Sequence, residues 1–166
     1  MIKQTMQDAL NEHINAELYS SYLYLAMSAY FEDKDLPGMA NWMRIQAQEE
    51  LIHVGKFFQY VNDRDGRVIL KPLAGPPSEW ASPLDAFQGG YEHECKVTRL
   101  IGNLVELAKK EGDHSTDNFL QWFVKEQVEE EATAKGIIGQ LKHIGDNGYG
   151  LYAVDQELAT RVLTLP

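Results

Sequence analysis

The sequence predicts an all-α fold, in which four long helices form one bundle with one long crossover and a short fifth helix lies near the C-terminus. Four stretches of about 28 residues lack helix breakers other than scattered glycines, and each would be roughly 40 Å long as a helix. The connections within the first and last helix pairs are only a few residues long, which predicts two antiparallel hairpins. About 18 residues separate the hairpins, enough to reach roughly 60 Å, so the crossover can run the length of the bundle.

The first two helices have recognisable ends. The first is predicted from about Thr5 to Asp33, with Thr5 as the N-cap and Asp8 as its acidic partner three residues later. The second begins near Pro37, because a proline suits the first turn of a helix, and continues to about Arg64.

The crossover and the third helix follow. The crossover reads "DGRVILKPLAGPPSEWAS", and its prolines and glycines cluster in "PLAGPP". Ser82 and Pro83 form a cap followed by a first-turn proline, so the third helix is predicted to begin there and to end near Gly112.

The fourth and fifth helices complete the chain. The fourth is predicted from about Ser115 or Thr116 to Ile144, where Gly145 stops it. The turn-rich segment "GDNGYG" follows, and a shorter amphipathic helix is predicted at roughly Ala153–Leu163. Residues 1–166 are expected to form a single domain, since this length supports one sizeable core.

Composition excludes several classes of function. The net charge of −10 argues against a nucleic-acid partner. The sequence contains no run of about 18 apolar residues, so no membrane span is predicted. The N-terminal segment lacks the apolar core of a signal peptide. Cys95 is the single cysteine, which rules out an intramolecular disulfide and fits a reducing compartment, so a cytoplasmic location is expected.

Each of the four long helices carries one acidic residue inside an otherwise mostly apolar heptad column. The columns are Leu10, Glu17, Tyr24 and Phe31; Leu36, Met43, Glu50 and Phe57; Phe87, Glu94, Ile101 and Ala108; and Phe123, Glu130, Ile137 and Ile144. Counting from the two hairpin turns places all four glutamates near the middle of the bundle at similar heights.

These four carboxylates predict a metal site. Buried carboxylates without partners are costly, and several at one level repel one another, whereas a multivalent cation neutralises them. His53 follows Glu50 by three residues and adds an imidazole. Oxygen ligands with imidazole suit iron or manganese, with zinc as a further candidate. A lone Glu-x-x-His is typical of an exposed helix face; the four coincident positions favour the metal site, with Glu50 best placed to bridge two ions.

A second acidic group adjoins the first in the sequence. Glu49 precedes Glu50, and Glu126 and Glu129 flank Glu130, so together they are predicted to hold a third cation, although "EEE" alone is typical of a solvated face. Tyr24 is either a core aromatic or a phenol that donates a hydrogen bond or an electron beside the metals. The other histidines show no partner pattern and are predicted to be surface or structural residues: His13, His93, His114 and His143.

Four segments carry a resemblance that spans essentially the whole chain. These segments are "HINAELYSSYLYLAMS", "GMANWMRIQAQEELIHVGKFFQYVNDR", "YEHE" and "FLQWFVKEQVEEEA". With them the sequence resembles a bacterial non-haem ferritin, which implies a ferritin-like di-iron bundle; inward Glu and Glu-x-x-His ligands and one long crossover are the general description of such folds.

The resemblance implies roles for individual residues. Glu17, Glu50 and His53 would hold the first iron, and Glu50, Glu94 and Glu130 the second, with Gln127 close by. A third iron would use the carboxylates of Glu49, Glu126, Glu129 and Glu130, and Tyr24 would be the tyrosine beside the di-iron centre. All ligands occur once per subunit, so the site is expected within one bundle.

The implied function is ferroxidation and iron storage. Fe(II) is oxidised by dioxygen or hydrogen peroxide and kept as ferric mineral in a shell of 24 subunits. Gln127-x-x-Glu130 stands where haem-binding relatives have a second Glu-x-x-His, and Leu51 stands where they have methionine, so no haem is expected. Two alternatives stay open: a di-iron oxidase, oxygenase or peroxide-detoxifying protein of the same fold, and a helical bundle with a purely structural polar core.

Overall fold

The computed structural model describes residues 1–164, and within that range every regular element is an α-helix. The helices are α1 (Gln4–Asp33), α2 (Pro37–Asp63), α3 (Pro83–Glu111), α4 (His114–Ile144) and α5 (Gly148–Leu158). The predicted fold class is therefore confirmed: α1 pairs with α2, α3 pairs with α4, and α5 packs on α2 and α4. None of the described helices has the length and apolarity needed to cross a membrane.

The crossover between α2 and α3 lies along α1. Near its start, the side chain of Asn11 donates to the carbonyl oxygen of Arg67 at 3.0 Å and accepts from the backbone N–H of Ile69 at 3.0 Å. Near its end, Trp80 packs edge-on against Tyr30 with the ring centroids 5.3 Å apart. The crossover thus covers most of the length of α1 and lets α3 start at the far end of the bundle, as its length predicted.

The predicted starts of α2 and α3 are correct. Pro37 opens α2, and the Ser82 hydroxyl caps α3 by accepting from the backbone N–H of Asp85 at 3.1 Å. Gly112 ends α3 in the left-handed region with φ of 66°, a conformation that glycine adopts without a steric penalty.

One predicted cap is wrong, and two predicted helix starts lie one or two residues too late. Thr5 lies inside the first turn of α1, while Lys3 is the N-cap and makes no side-chain cap bond. The start is instead fixed by tertiary structure, because the buried Ile2 donates its N–H to the carbonyl of Arg64 at 2.9 Å. Asp113 caps α4 by accepting from Thr116, so that helix begins one or two residues earlier than expected.

The fifth helix lies five residues earlier than predicted at both ends. It begins inside the segment that reads as a turn, because the Asn147 side chain accepts from the Gly150 N–H at 2.9 Å and caps the helix. Gly150 has no side chain to collide with Ile144, whose Cβ lies 2.9 Å from the position that a Cβ would take. Gly150 therefore permits close packing of the first turn of α5 against Ile144.

The docking of α5 depends on one glycine and one aspartate. A Cβ on Gly38 would lie 1.7 Å from the carbonyl oxygen of Asp155, so only glycine fits where α5 crosses the start of α2. The buried Asp155 carboxylate accepts from the Met39 backbone N–H at 2.8 Å, which satisfies a donor at the N-terminus of α2. Apolar side chains fill the bundle as two clusters, one toward each end.

Candidate metal centre

The predicted central group lies together at the middle of the bundle, with contributions from all four long helices. We define the central group as Glu17, Glu50, His53, Glu94 and Glu130. Glu17 and Glu50 are each 1% exposed, Glu94 is 2% and His53 is 4%, while Glu130 is half-buried. Four glutamates gathered in an apolar interior carry a large desolvation cost unless a cation compensates them.

The central group divides into two sets of three ligands. Atoms of Glu17, Glu50 and His53 lie within 4.8 Å of one another, and so do atoms of Glu50, Glu94 and Glu130. Glu50 belongs to both sets, which is the arrangement needed for one carboxylate to bridge two ions. The resemblance to ferritins implies the same division, and the binding of iron by these residues stays a prediction.

Two carboxylate oxygens of the central group have no hydrogen-bond partner among the described residues. They are Oε2 of Glu17 and Oε2 of Glu130, both buried. Unsatisfied buried acceptors are rare in proteins, and a bound cation would satisfy these two. Because one oxygen belongs to each three-ligand set, the chemistry of both sets fits a cation.

Protonation in the central group follows from burial and neighbouring charge. Burial and the repulsion of Glu94 raise the pKa of Glu50 to about 8, and burial raises the pKa values of Glu94 and Glu130 as well. Burial acts the same way on Glu17, but the His13 and His53 side chains outweigh it and hold the Glu17 pKa well below its usual range. Without a cation the group therefore keeps protons that metal binding would release.

Tyr24 and Gln127 both contact Glu94. The buried Tyr24 hydroxyl donates to Oε1 of Glu94, and burial together with that carboxylate raises the pKa of Tyr24, so the phenol keeps its proton. The Gln127 amide nitrogen donates to Oε2 of Glu94 at 3.1 Å and also to Thr98 Oγ1 at 3.2 Å. In this arrangement both residues orient Glu94; the role of Gln127 as an iron ligand stays a prediction.

Sequence reasoning missed two partners of the central group. Gln46 is 3% exposed, and its amide nitrogen donates to Glu50 at 2.9 Å and to Glu130 at 3.1 Å. His13 shows no partner pattern in the sequence and was predicted to be a surface or structural residue; it is 3% exposed and lies 2.7 Å from Oε1 of Glu17. The four-residue spacing of His13 and Glu17 places them on one helix face and was the signal that could have revealed the pair.

The remaining histidines and two other residues lie as follows. His114 and His143 are exposed, in line with the prediction, whereas the half-buried His93 hydrogen-bonds with Ser20 at 2.7 Å. Trp122 packs edge-on against His53 with the ring centroids 5.5 Å apart, and Cys95 is a half-buried free thiol.

The flanking group lies beside the central group, between α2 and α4. We define the flanking group as Glu49, Glu126 and Glu129. Glu126 lies within 4.8 Å of His53 and Glu130, so it adjoins the central group. The half-buried Glu49 accepts instead from Arg161, and the exposed Glu129 lies 3.7 Å from Lys125. A cavity of about 180 Å³ joins the two groups, and Arg161 lines it as well.

Comparison with known proteins places the chain. A model of the Ferritin-like domain family matches residues 7–144. The chain belongs to the ferritin family. This ferritin is 43% identical to the bacterial non-heme ferritin of Bacteroides fragilis (strain 638R) over 97% of its own length and the whole of that relative. It is 40% identical to the bacterial non-heme ferritin of Campylobacter jejuni over 99% of its length and 98% of the relative.

Solved structures of an archaeal relative match more closely in sequence. The ferritin shares 52% identity and a TM-score of 0.98 with an engineered closed form of the Archaeoglobus fulgidus ferritin, covering 99% of this chain and all of that one. A second structure, described as a novel open pore ferritin from the same archaeon, also shares 52% identity, with a TM-score of 0.97 over 98% of this chain and 99% of that one. Membership of this family supports iron storage and ferroxidase activity in general terms, iron as the substrate, and assembly of like subunits.

Proposed function

We propose that this ferritin oxidises Fe(II) at a di-iron centre formed by its central group and stores the product as ferric oxyhydroxide inside a 24-subunit cage. The observation that carries the proposal is the position of Glu50, whose carboxylate belongs to both three-ligand sets. Ligands from four helices at one height can hold two ions side by side, which an isolated Glu-x-x-His cannot do.

Each iron has its own set of ligands in this proposal. Glu17, Glu50 and His53 bind the first Fe(II), and Glu50, Glu94 and Glu130 bind the second. The unpartnered oxygens of Glu17 and Glu130 supply one acceptor to each ion. Since a thiolate is absent from both sets, the donors suit a hard or borderline ion such as iron.

Two neighbouring irons suit the redox chemistry. Each Fe(II) gives up one electron, so the pair supplies two electrons to one molecule of dioxygen or hydrogen peroxide. The carboxylates compensate the higher charge of Fe(III), and Tyr24, His13 and Gln46 hold all four of them by hydrogen bonds. The buried ligands hold the two ions in place and limit the access of water while the oxidant accepts the electrons.

The second iron has the weaker hold. Neutral Gln127 contacts Glu94 where a further charged or imidazole ligand could bind, and Glu130 is the more exposed ligand of its set. We propose that Fe(III) passes from this side toward the flanking group, which with Glu130 forms a third iron site, and then into the cage.

Haem has no role in the proposal, because Leu51 replaces the methionine expected for it. Cys95 as a free thiol supports a cytoplasmic location.

Ferric absorbance after addition of Fe(II) in air tests the proposal. Glu50→Ala and His53→Ala should each slow the initial rate by at least about tenfold, because partners beyond the ligands already cost 10–100-fold when removed. Glu106→Ala is the matched control, since it removes an exposed α3 carboxylate that only pairs with Lys109. An unchanged initial rate in Glu50→Ala would refute the di-iron assignment, and a particle of monomer or dimer size would refute the cage.

A further inference from the structure

The chain segment after α5 brings a cation to the flanking group. The Arg161 guanidinium donates to Oε2 of Glu49 and, at 2.8 Å, to Oε1 of Gln46. It also donates to the Trp42 carbonyl at 3.2 Å and lies over the Trp42 ring, 4.3 Å from the centroid. The Arg161 and Glu49 side chains are only 20% and 23% exposed. Such a partly desolvated, multiply bonded arginine is a specific contact rather than a surface ion pair.

Gln46 connects this arginine to the central group. Its amide oxygen accepts from Arg161, while its amide nitrogen donates to both Glu50 and Glu130. The orientation of the Gln46 amide is therefore set from both ends. On Gln46, Arg161 bonds only to the amide oxygen, which leaves the amide nitrogen on Glu50 and Glu130. Arg161 and Glu49 are 112 positions apart in sequence.

The backbone around Arg161 is held on α2. The side-chain nitrogen of Asn41 donates to the Arg161 carbonyl at 3.1 Å and to the Ala159 carbonyl at 3.4 Å. Upstream, Asp155 and Gly38 dock α5 itself. These contacts fix the position of Arg161 relative to α2. The guanidinium lines the same cavity as Glu126, Glu129 and Glu130.

We propose that Arg161 competes with metal ions for the third iron site, so that the C-terminal segment sets the affinity of that site. The guanidinium binds Glu49 and neutralises its single negative charge. A metal ion binds Glu49 only after the guanidinium moves away. The orphaned Oε2 of Glu130, beside the same cavity, is the acceptor that the arginine leaves free. This inference rests on the third site proposed above.

Replacement of the Arg161 guanidinium by a divalent metal ion is favourable only when the ion binds several carboxylates together. Arg161 carries one charge and gives up hydrogen bonds to Glu49, Gln46 and Trp42 when it leaves. An incoming Fe(II) brings two charges and can use Glu49 together with Glu126 and Glu130. The competition therefore lowers the affinity of the third site, so that the site stays largely empty at low Fe(II) concentration and fills when iron is abundant.

Titration with Co(II) tests the inference without oxidation. Calorimetry counts the ions bound per subunit, and the visible d–d bands of Co(II) report its ligand geometry. Wild-type protein should bind two ions tightly and a third more weakly. Arg161→Gln should lower the Kd of the third ion about tenfold and leave the first two within about twofold. Arg44→Gln is the matched control, because it removes an exposed α2 arginine that lies 3.4 Å from Glu32.

A second variant keeps the test decisive. Asn41→Ala loosens the attachment of residues 159–161 without removing a charge, and should lower the third Kd about threefold. A third Kd in Arg161→Gln equal to or higher than wild type would overturn the inference. If Arg161→Gln does not assemble, the same criterion applied to Asn41→Ala decides. Failure of the wild type to bind the first two ions would instead refute the di-iron proposal.

Discussion

The central and flanking groups are both acidic, yet they are balanced in different ways. The central group is nearly sealed from solvent, and it leaves oxygens of Glu17 and Glu130 without partners among residues 1–164. The flanking group is partly open, and its Glu49 already has a cation from the chain itself in Arg161. The central group thus has carboxylate oxygens without partners, whereas a carboxylate of the neighbouring flanking group is already paired with a cation.

The difference shows how position sets the role of a carboxylate. In the central group, burial and mutual repulsion make the metal-free state costly, which favours strong binding of a cation. In the flanking group, Arg161 removes that cost beforehand, which favours weak and reversible binding. A pathway for Fe(III) from the first group to the second needs this gradient, because an ion held too firmly at the exit would block it.

Glu130→Ala should have the largest effect, because Glu130 belongs to the central group and is also a proposed ligand of the third iron site. We expect the initial rate of ferric absorbance to fall at least about tenfold, and the Co(II) stoichiometry to fall below that of wild type. Calorimetric titration and stopped-flow absorbance measure the two losses. Loss of only the third Co(II), with a normal oxidation rate, would contradict the sharing of Glu130.

Tyr24→Phe should have a smaller effect confined to the central group. The substitution leaves Oε1 of Glu94 without the Tyr24 donor, so we expect the initial rate to fall up to about tenfold while the third Co(II) still binds. Tyr22→Phe, at a partly exposed position of the same helix, is the control. Equal rates in the two variants would show that the Tyr24 hydroxyl has no part in the oxidation.

The metal-free protein should lose stability as pH rises from about 4.5 to about 8. The folded-state pKa of Glu50 is raised from 4.5 to about 8, so its stabilising contribution is complete below about 4.5 and is lost as pH rises through that window. His53 contributes in the same direction, because its pKa is also raised. Melting temperatures should therefore fall with pH more steeply in wild type than in Glu50→Gln, and Co(II) should stabilise wild type more at the higher pH.

Parallel melting curves of wild type and Glu50→Gln across that pH range would contradict the raised pKa of Glu50. The comparison must be made on metal-free protein, because a bound cation displaces the proton whose loss is being measured.

Replacement of His13 should have the smallest effect. His13→Gln keeps a side-chain donor near Glu17, whereas His13→Ala removes it, so we expect His13→Ala to be about 1 kcal/mol less stable than His13→Gln by thermal or urea unfolding. The reverse order of stability would show that the contact of His13 with Glu17 is not a stabilising hydrogen bond.

Most of the fold could be predicted from local signals. Pro37 and the Ser82 cap act on adjacent residues, so the sequence suffices to find them. The start of α1 could not be found this way, because the contact of Ile2 with Arg64 joins distant parts of the chain. The α5 prediction failed at Gly150, since a glycine needed for packing against Ile144 has the same sequence appearance as a glycine in a turn.

The site shows the same division. The central group could be predicted because Glu17, Glu50 and the others interrupt regular apolar columns, a pattern that heptad spacing reveals. Gln46 was missed because a polar residue among many on α2 carries no such signal until its two carboxylate partners are located. Arg161 was missed because neither periodicity nor motif links the end of the chain to Glu49.

Because α5 docks on α2 at Gly38, the C-terminal segment could be replaced by that of another protein with the same docking contact. Within the described chain α5 packs only on α2 and α4, so a chimera that replaces the segment from Gly145 onward leaves the proposed ligands of both groups unaltered. Such a graft would nevertheless bring or withhold an arginine at Glu49. Subunits with identical ligand residues but different C-terminal segments would then differ in the affinity of the proposed third iron site, and an assembly of mixed subunits would contain sites of graded affinity.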